Sequence, residues 1–357
     1  MHVLTRASSV RWVVRVTGNF TSESPLHPAA KSALLAAFDQ GWADPKKISQ
    51  NSAKAAILKN QALENIAGTL RVKPDSLEII GEPALGHYLG IGGLLHNEDT
   101  FAYAATDKGK IRAVARSHSG AVEELQVDNE GKILYPRHDF ESSVLSLQLA
   151  NSETGVIQEF PKAKFSCIAI DATTSGTYVA LPEKWDTALF DAQSWQGPAG
   201  LAILAINTPR YKYPIPHIAP IKSPGTYSLP LLIAAAVALE NFTPVHAQFR
   251  SEVARLLAAI PGVRVVAPNA PAIPNKISFT VDGVAGEQLI RALAERGIDV
   301  DTGSACSPAD LQPSHVLEAM GYPTSGQLRL TLHDGITSAD LENLAKVLAE
   351  TLPALRG

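Results

Sequence analysis

Ser143-Val144-Leu145-Ser146-Leu147-Gln148-Leu149, followed by Ala150-Asn151-Ser152-Glu153-Thr154-Gly155, is the stretch on which the fold turns. A short, mostly apolar run without helical spacing reads as a buried strand. The polar cluster behind it reads as a turn, in which Glu153 and Gly155 serve the chain reversal whatever the chemistry. The run Phe165-Ser166-Cys167-Ile168-Ala169-Ile170 has the same character and ends on Asp171. Working outward, residues 77–80, 100–105, 187–191 and 200–206 are further short β-rich runs, separated by polar or helical stretches. Strands that alternate with crossover segments predict an α/β domain whose mostly parallel sheet is covered on both faces.

Toward the N-terminus, apolar residues recur at helical spacing over residues 28–38 and 54–70, with Ser52 a candidate cap for the second helix. Beyond the Pro-rich residues 209–224, a helix over 230–241 continues past Pro244 into another that ends by residue 259. Strands at 263–267, 276–281 and 327–332, with helices at 286–296 and 338–352, predict a compact α+β domain. The expected organisation is therefore an extension over 1–18, a large domain over 19–235 and a smaller C-terminal domain over 236–357.

A chain of 357 residues with 45% hydrophobic residues is too long for one ordinary core and has enough apolar material for two. With 31 basic against 35 acidic residues, the net charge of −4 gives no reason to expect nucleic acid or an anionic membrane as a partner. No segment is apolar enough to span a bilayer, and the run 10–16 is interrupted by Arg11 and Arg15, so no membrane anchor or signal peptide is expected. Two cysteines in dissimilar surroundings, Cys167 inside a strand and Cys306 in a Gly-Ser-Ala loop, argue against a disulfide and for a reducing, cytoplasmic setting. His87, His96, His118 and His246 show no metal-ligand spacing, and no metal is expected.

Gly303-Ser304-Ala305-Cys306-Ser307, then Pro313-Ser314-His315-Val316-Leu317-Glu318-Ala319-Met320-Gly321, then Leu328-Arg329-Leu330-Thr331-Leu332 form the most specific pattern in the chain. In order, spacing and residue type it resembles the cysteine desulfurases of the class V aminotransferase family. The resemblance implies a fold-type I transferase fold and pyridoxal phosphate chemistry. It also implies a loop thiol that accepts sulfur at Cys306 and a substrate carboxylate held by Arg329. Residues 150–155 resemble the family's Ala-Asn-Asn-Glu-x-Gly turn, Asp171 its strand-end aspartate, Gly197-Pro198 the turn after its lysine, and Gly225-Thr226 a loop that touches phosphate across a dimer interface. By the same likeness the cofactor-binding positions are Asp171, Ser152, Thr174 and Thr226.

Pyridoxal phosphate needs a lysine amine for the Schiff base, a carboxylate against its pyridinium nitrogen and donors around its phosphate. Counting back from Gly197-Pro198, the family's His-Lys pair falls on Gln193-Ser194, and a serine cannot form an imine. Ser152 and Thr174 replace an asparagine and a glutamine, the ring-stacking histidine aligns with Lys108, and the phosphate turn reads Gly81-Glu82-Pro83-Ala84. Glu82 brings negative charge where a phosphate would sit.

These departures lead to an atypical, homodimeric family member without Schiff-base catalysis and without the cofactor. Such a protein either carries sulfur on Cys306 or serves as a scaffold for a protein partner in sulfur or iron–sulfur metabolism. The alternative is an active enzyme of the family that binds pyridoxal phosphate through a lysine at another position, such as Lys212 or Lys222. A third possibility is an interaction module in which Cys306 is dispensable.

Overall fold

The computed structural model describes residues 18–40, 43–215, 228–303 and 313–356. Its centre is a seven-stranded sheet. In chain order the strands are β2 (Leu77–Ile80), β3 (Thr100–Ala104), β4 (Val122–Leu125), β5 (Ser143–Gln148), β6 (Cys167–Asp171), β7 (Thr187–Asp191) and β8 (Ala202–Ile206). They lie in the order β2-β8-β7-β6-β5-β3-β4. The pairs from β7 through β6, β5 and β3 to β4 are parallel, while β8 runs antiparallel to both β7 and β2.

Alternation within the strands decides which face each side chain meets. In β5, Val144 joins one apolar cluster while Leu145 and Leu147 join another; in β6, Cys167 and Ala169 face the first while Ile168 and Ile170 face the second. Helices α1 (Pro28–Gln40), α2 (Gln50–Leu70) and α5 (Leu229–Asn241) cover the larger cluster, and α3 (Pro83–Gly92) and α4 (Gly109–Ser117) cover the other face. The sheet is thus buried on both sides, as parallel pairing requires. Ser49, not Ser52, caps α2: its hydroxyl accepts the Ser52 N–H at 3.1 Å, and Ser52 itself is buried.

The second core belongs to β9 (Val263–Val265), β10 (Lys276–Val281) and β12 (Gln327–Thr331), an antiparallel sheet in the order β12-β10-β9. It is packed by α6 (Ala247–Ala258), α7 (Gly286–Ala294) and α9 (Ser338–Arg356). Chain order and packing differ at two places. Strand β1 (Asn19–Phe20) pairs in parallel with β11 (Asp299–Val300), so Phe20 packs in the second core. Helix α5, which straddles residue 235, lies whole in the first.

Ile277, Phe279 and Val281 of β10 and Leu328 and Leu330 of β12 fill this second core. The opposite face of the same two strands carries Lys276, Ser278 and Thr280 beside Thr331, Arg329 and Gln327, and it borders the turn that follows β5. Among the described residues no helix is long and apolar enough to cross a membrane.

Candidate functional site

The carboxyl ends of parallel strands leave a crevice where loops diverge, and α/β proteins commonly place ligands there. β5, β6 and β7 end side by side, with Gln148 level with Asp171 and Asp171 level with Leu189. The turns that follow carry Ser152, Thr174 and Ser194. Ser152 and Thr174 are both partly exposed in these turns.

Asp171, 3% exposed, is crowded with partners. Lys108 Nζ and His87 Nε2 each lie 3.2 Å from its Oδ2, and Gln148 Nε2 donates to the same oxygen at 3.4 Å. Oδ1 accepts from the Thr173 N–H at 2.9 Å and its hydroxyl at 2.6 Å. Burial alone would raise this carboxyl, but Lys108, His87 and Thr173 hold it well below the usual carboxylate range. Lys108 also donates to the Thr173 hydroxyl, and His87 Nδ1 donates to the Pro83 carbonyl oxygen at 2.8 Å. Asp107, fully enclosed nearby, behaves oppositely. Burial pushes its carboxyl up to about 8, with the charge of Asp171 adding to the rise and a hydrogen bond from the Ala104 N–H opposing it.

At the start of α3, Glu82 is the N-cap and its side chain accepts the Leu85 N–H at 3.0 Å. Pro83 at the first helical position removes one donor. Burial acts upward on the Glu82 carboxyl, but the Ala84 and Leu85 N–H groups, Lys110 and His87 bring it below its ordinary value. Lys110 Nζ lies 3.8 Å from it. The helix end thus already carries an anion from its own chain.

Ser194 lies in a short 3-10 turn after β7, and its hydroxyl donates to the Asp191 carbonyl oxygen at 2.7 Å. A Cβ on Gly176 would come within 2.6 Å of its Oγ, so no space separates the serine from the turn that follows β6. Lys212 stands elsewhere: its N–H donates to the Gly93 carbonyl oxygen at the far end of α3 from Glu82. Cys306, Lys222 and Thr226 lie outside the described residues.

Among the described residues, the positions that the resemblance assigns to pyridoxal phosphate do not suit that cofactor. Its pyridinium would find Asp171 already paired with Lys108, its phosphate would meet the Glu82 carboxylate, and its aldehyde would meet a hydroxyl at Ser194.

The wall formed by the second domain is organised differently. Glu153 is 5% exposed, and its Oε2 accepts from the Ser314 hydroxyl at 2.6 Å and from Gln327 Nε2 at 2.8 Å. Asn151 Oδ1 accepts the N–H groups of Glu153 and Thr154 at 2.9 and 3.0 Å, so the turn is preorganised from within. Gly155, at φ +75°, packs directly on Lys276: a Cβ there would lie 2.9 Å from Lys276 Cβ. This close approach, in a left-handed backbone conformation, is what the glycine permits. Arg329 Nη2 donates to the Thr302 carbonyl oxygen at 3.3 Å, and its buried Nε has no partner among the described residues. Sequence reasoning missed His87, Asp107 and Lys276; the one signal for Lys276 is a strand that alternates polar and apolar without opening its polar face to solvent.

Comparison with known proteins agrees with this architecture. The class V aminotransferase family pattern matches residues 224–344. Cysteine desulfurase IscS of Dictyoglomus turgidum is 26% identical across 95% of this chain and 94% of its own length. The cysteine desulfurase IscS of Methanosarcina thermophila is 24% identical across 94% and 91%. Among solved structures, a NifS-like protein superposes with a TM-score of 0.81 at 20% identity, covering 95% of this chain and all of the other. A NifS-like protein from Rickettsia africae gives 0.77 at 16%, over 94% and 99%.

Proposed function

We propose that this chain, which belongs to the cysteine desulfurase and class V aminotransferase family, does not run Schiff-base catalysis and works in sulfur metabolism as a sulfur-carrying or scaffold protein. The single observation that carries this reading is the saturation of Asp171 by Lys108, His87 and Thr173. A carboxylate that has lost its freedom to pair with a pyridinium supports a protein whose cofactor subsites are taken by its own side chains. Glu82 at the helix end and Ser194 in place of the lysine support the same reading.

In the sulfur-carrying form, the Cys306 thiolate takes the terminal sulfur of a donor persulfide. A sulfur–sulfur bond forms on Cys306, the donor's breaks, and the donor leaves as a thiol with no net oxidation. Cys167 has no part in this: it is 2% exposed, and burial pushes its thiol up to about 11. The active assembly on this reading is a homodimer that docks a protein partner.

The test is an absorbance spectrum after incubation with excess pyridoxal phosphate, followed by borohydride reduction and peptide mapping. A colourless protein without a phosphopyridoxyl-lysine is expected. A yellow protein with one modified lysine would overturn the reading. Iodoacetamide labelling of the native protein then separates the two roles: Cys306 modified ahead of Cys167 supports sulfur carriage, and equal protection of both thiols leaves the scaffold.

A further inference from the structure

Lys276 opens β10 on the polar face that looks toward the turn at residues 150–155, not on the face that fills the second core. In the antiparallel register Lys276 lies opposite Thr331 and Ser278 opposite Arg329, which makes Lys276 and Arg329 diagonal neighbours on one face. Diagonal pairs of long side chains reach one another at Cα separations of about 7–8 Å. Lys276 Nζ donates to the Thr331 hydroxyl at 2.7 Å, and among the described residues its other two protons meet no acceptor. Among the described residues, the buried Nε–H of Arg329 has no acceptor. Among the described residues neither cation has a carboxylate at ion-pair distance, and both keep part of their surface exposed.

We propose that Lys276 and Arg329 form a two-cation clasp for a small dianionic acid, one carboxylate or oxoanion on each cation. The proposal rests on the reading that the cofactor subsites are filled by the chain itself, since Lys108 is neutralised by Asp171 and the remaining positive charge stands on this wall. The resemblance implies a zwitterionic amino acid as substrate, and Lys276 argues against one. A zwitterion held by Arg329 would bring its ammonium close to a second ammonium, whereas a second anionic group would satisfy the donors of Lys276.

The electrostatics agree. Burial, then the charge of Arg329, pushes the Lys276 amine down to about 8. Asp301 and Glu23 act on it from a distance in the opposite sense, but the Asp301 carboxylate accepts the Ser22 N–H at 2.8 Å, and Glu23 is exposed. Lys108, which also acts on it, faces Asp171.

The experiment is calorimetric titration of the full chain, free of pyridoxal phosphate and at constant ionic strength, with malonate, succinate, glutarate, propionate and alanine. At least one dicarboxylate should bind tenfold or more tightly than propionate, with alanine weakest. Lys276→Met should remove that advantage, bringing the best dicarboxylate down to within about twofold of propionate. Propionate or alanine equal to every dicarboxylate, or an unaltered preference in Lys276→Met, overturns the proposal. Should Lys276→Met fail to fold, acetylation of Lys276 in the unmodified protein, followed by mass mapping, decides instead: several-fold protection by the best dicarboxylate but not by propionate is expected, and an unchanged rate overturns the clasp. Because the reading of the cofactor site is tested separately by colour and borohydride mapping, the two can fail independently.

Discussion

At the sheet end of the cleft, Asp171 and Glu82 are each met by groups of the same chain, Asp171 by Lys108 and His87 and Glu82 by the N–H groups of α3. At the wall formed by β10 and β12, Lys276 and Arg329 have no carboxylate at ion-pair distance among the described residues, and Glu153 Oε2 beside them accepts from Ser314 and Gln327. The two regions are close enough for the charge of Lys108 to act on Lys276, and they differ in whether their charge is balanced among the described residues. Balanced charge is architecture, and a variant that unbalances it should lose stability. Unbalanced charge asks for a ligand, and a variant that removes it should lose binding with little loss of stability.

The largest effect is expected from Lys108→Met. It leaves a carboxylate that is 3% exposed without its main counter-ion, and breaking a buried pair costs about 3 kcal/mol or more. Adding Asp171→Leu removes the stranded charge, so the double variant should recover part of the loss. Denaturant unfolding measures both. A single variant within about 0.5 kcal/mol of the parent would mean that this end is no more committed than the other wall.

Next is Asp107. Its folded pKa lies above the unfolded value, so the native state keeps a proton that the unfolded chain releases. Its stabilising contribution is full below the unfolded value of about 4 and declines as pH rises toward about 8, by at most ~1.4 kcal/mol per pH unit. Asp171 has the opposite sign and loses its contribution only as pH falls below the ordinary carboxylate range. Asp107→Asn should therefore flatten the fall in stability between pH 5 and 8 and leave the acid limb unchanged. An unaltered slope would remove Asp107 from the buried charge cluster.

The fold was legible because parallel strands buried on both faces announce themselves as apolar runs, as residues 143–149 and 165–170 do. Counting from Gly197-Pro198, a local argument, puts Ser194 just behind a strand, and the structure has it in the short turn after β7. The role of Lys108 was not, because its partner Asp171 is brought to it by the pairing of β3, β5 and β6. His87 likewise meets Asp171 only because α3 packs across the end of the sheet, and nothing in its own neighbourhood in the chain says so. Pairings of this kind are properties of topology, which periodicity does not encode.

Ser314→Ala should have an intermediate effect. The hydroxyl donates to Glu153 at 2.6 Å and accepts the Leu317 N–H at 3.2 Å, so it serves both as a charge-assisted donor and as the cap of the helix His315–Ala319. Losing both should cost about 2 kcal/mol in thermal or denaturant unfolding. A loss under about 0.5 kcal/mol would show that Gln327 alone suffices for Glu153.

The smallest effect, and the sharpest for the comparison, belongs to Glu82. Its side chain is about half exposed, so Glu82→Ala removes a solvated N-cap and should cost only about 1 kcal/mol. What remains, however, is a helix N-terminus with free N–H groups at Ala84 and Leu85 and Lys110 nearby, the conditions under which an inorganic anion binds. Tens of millimolar phosphate should therefore return most of the lost stability to Glu82→Ala. The parent should gain only the smaller, general increment that excluded salts give any protein. Thermal unfolding of both in chloride and in phosphate at equal ionic strength isolates the difference. If phosphate raises the two proteins equally, Glu82 is a cap and nothing more, and the filled anion site at this end of the cleft is withdrawn. If the variant alone responds, the carboxylate of Glu82 has been standing in for an external anion.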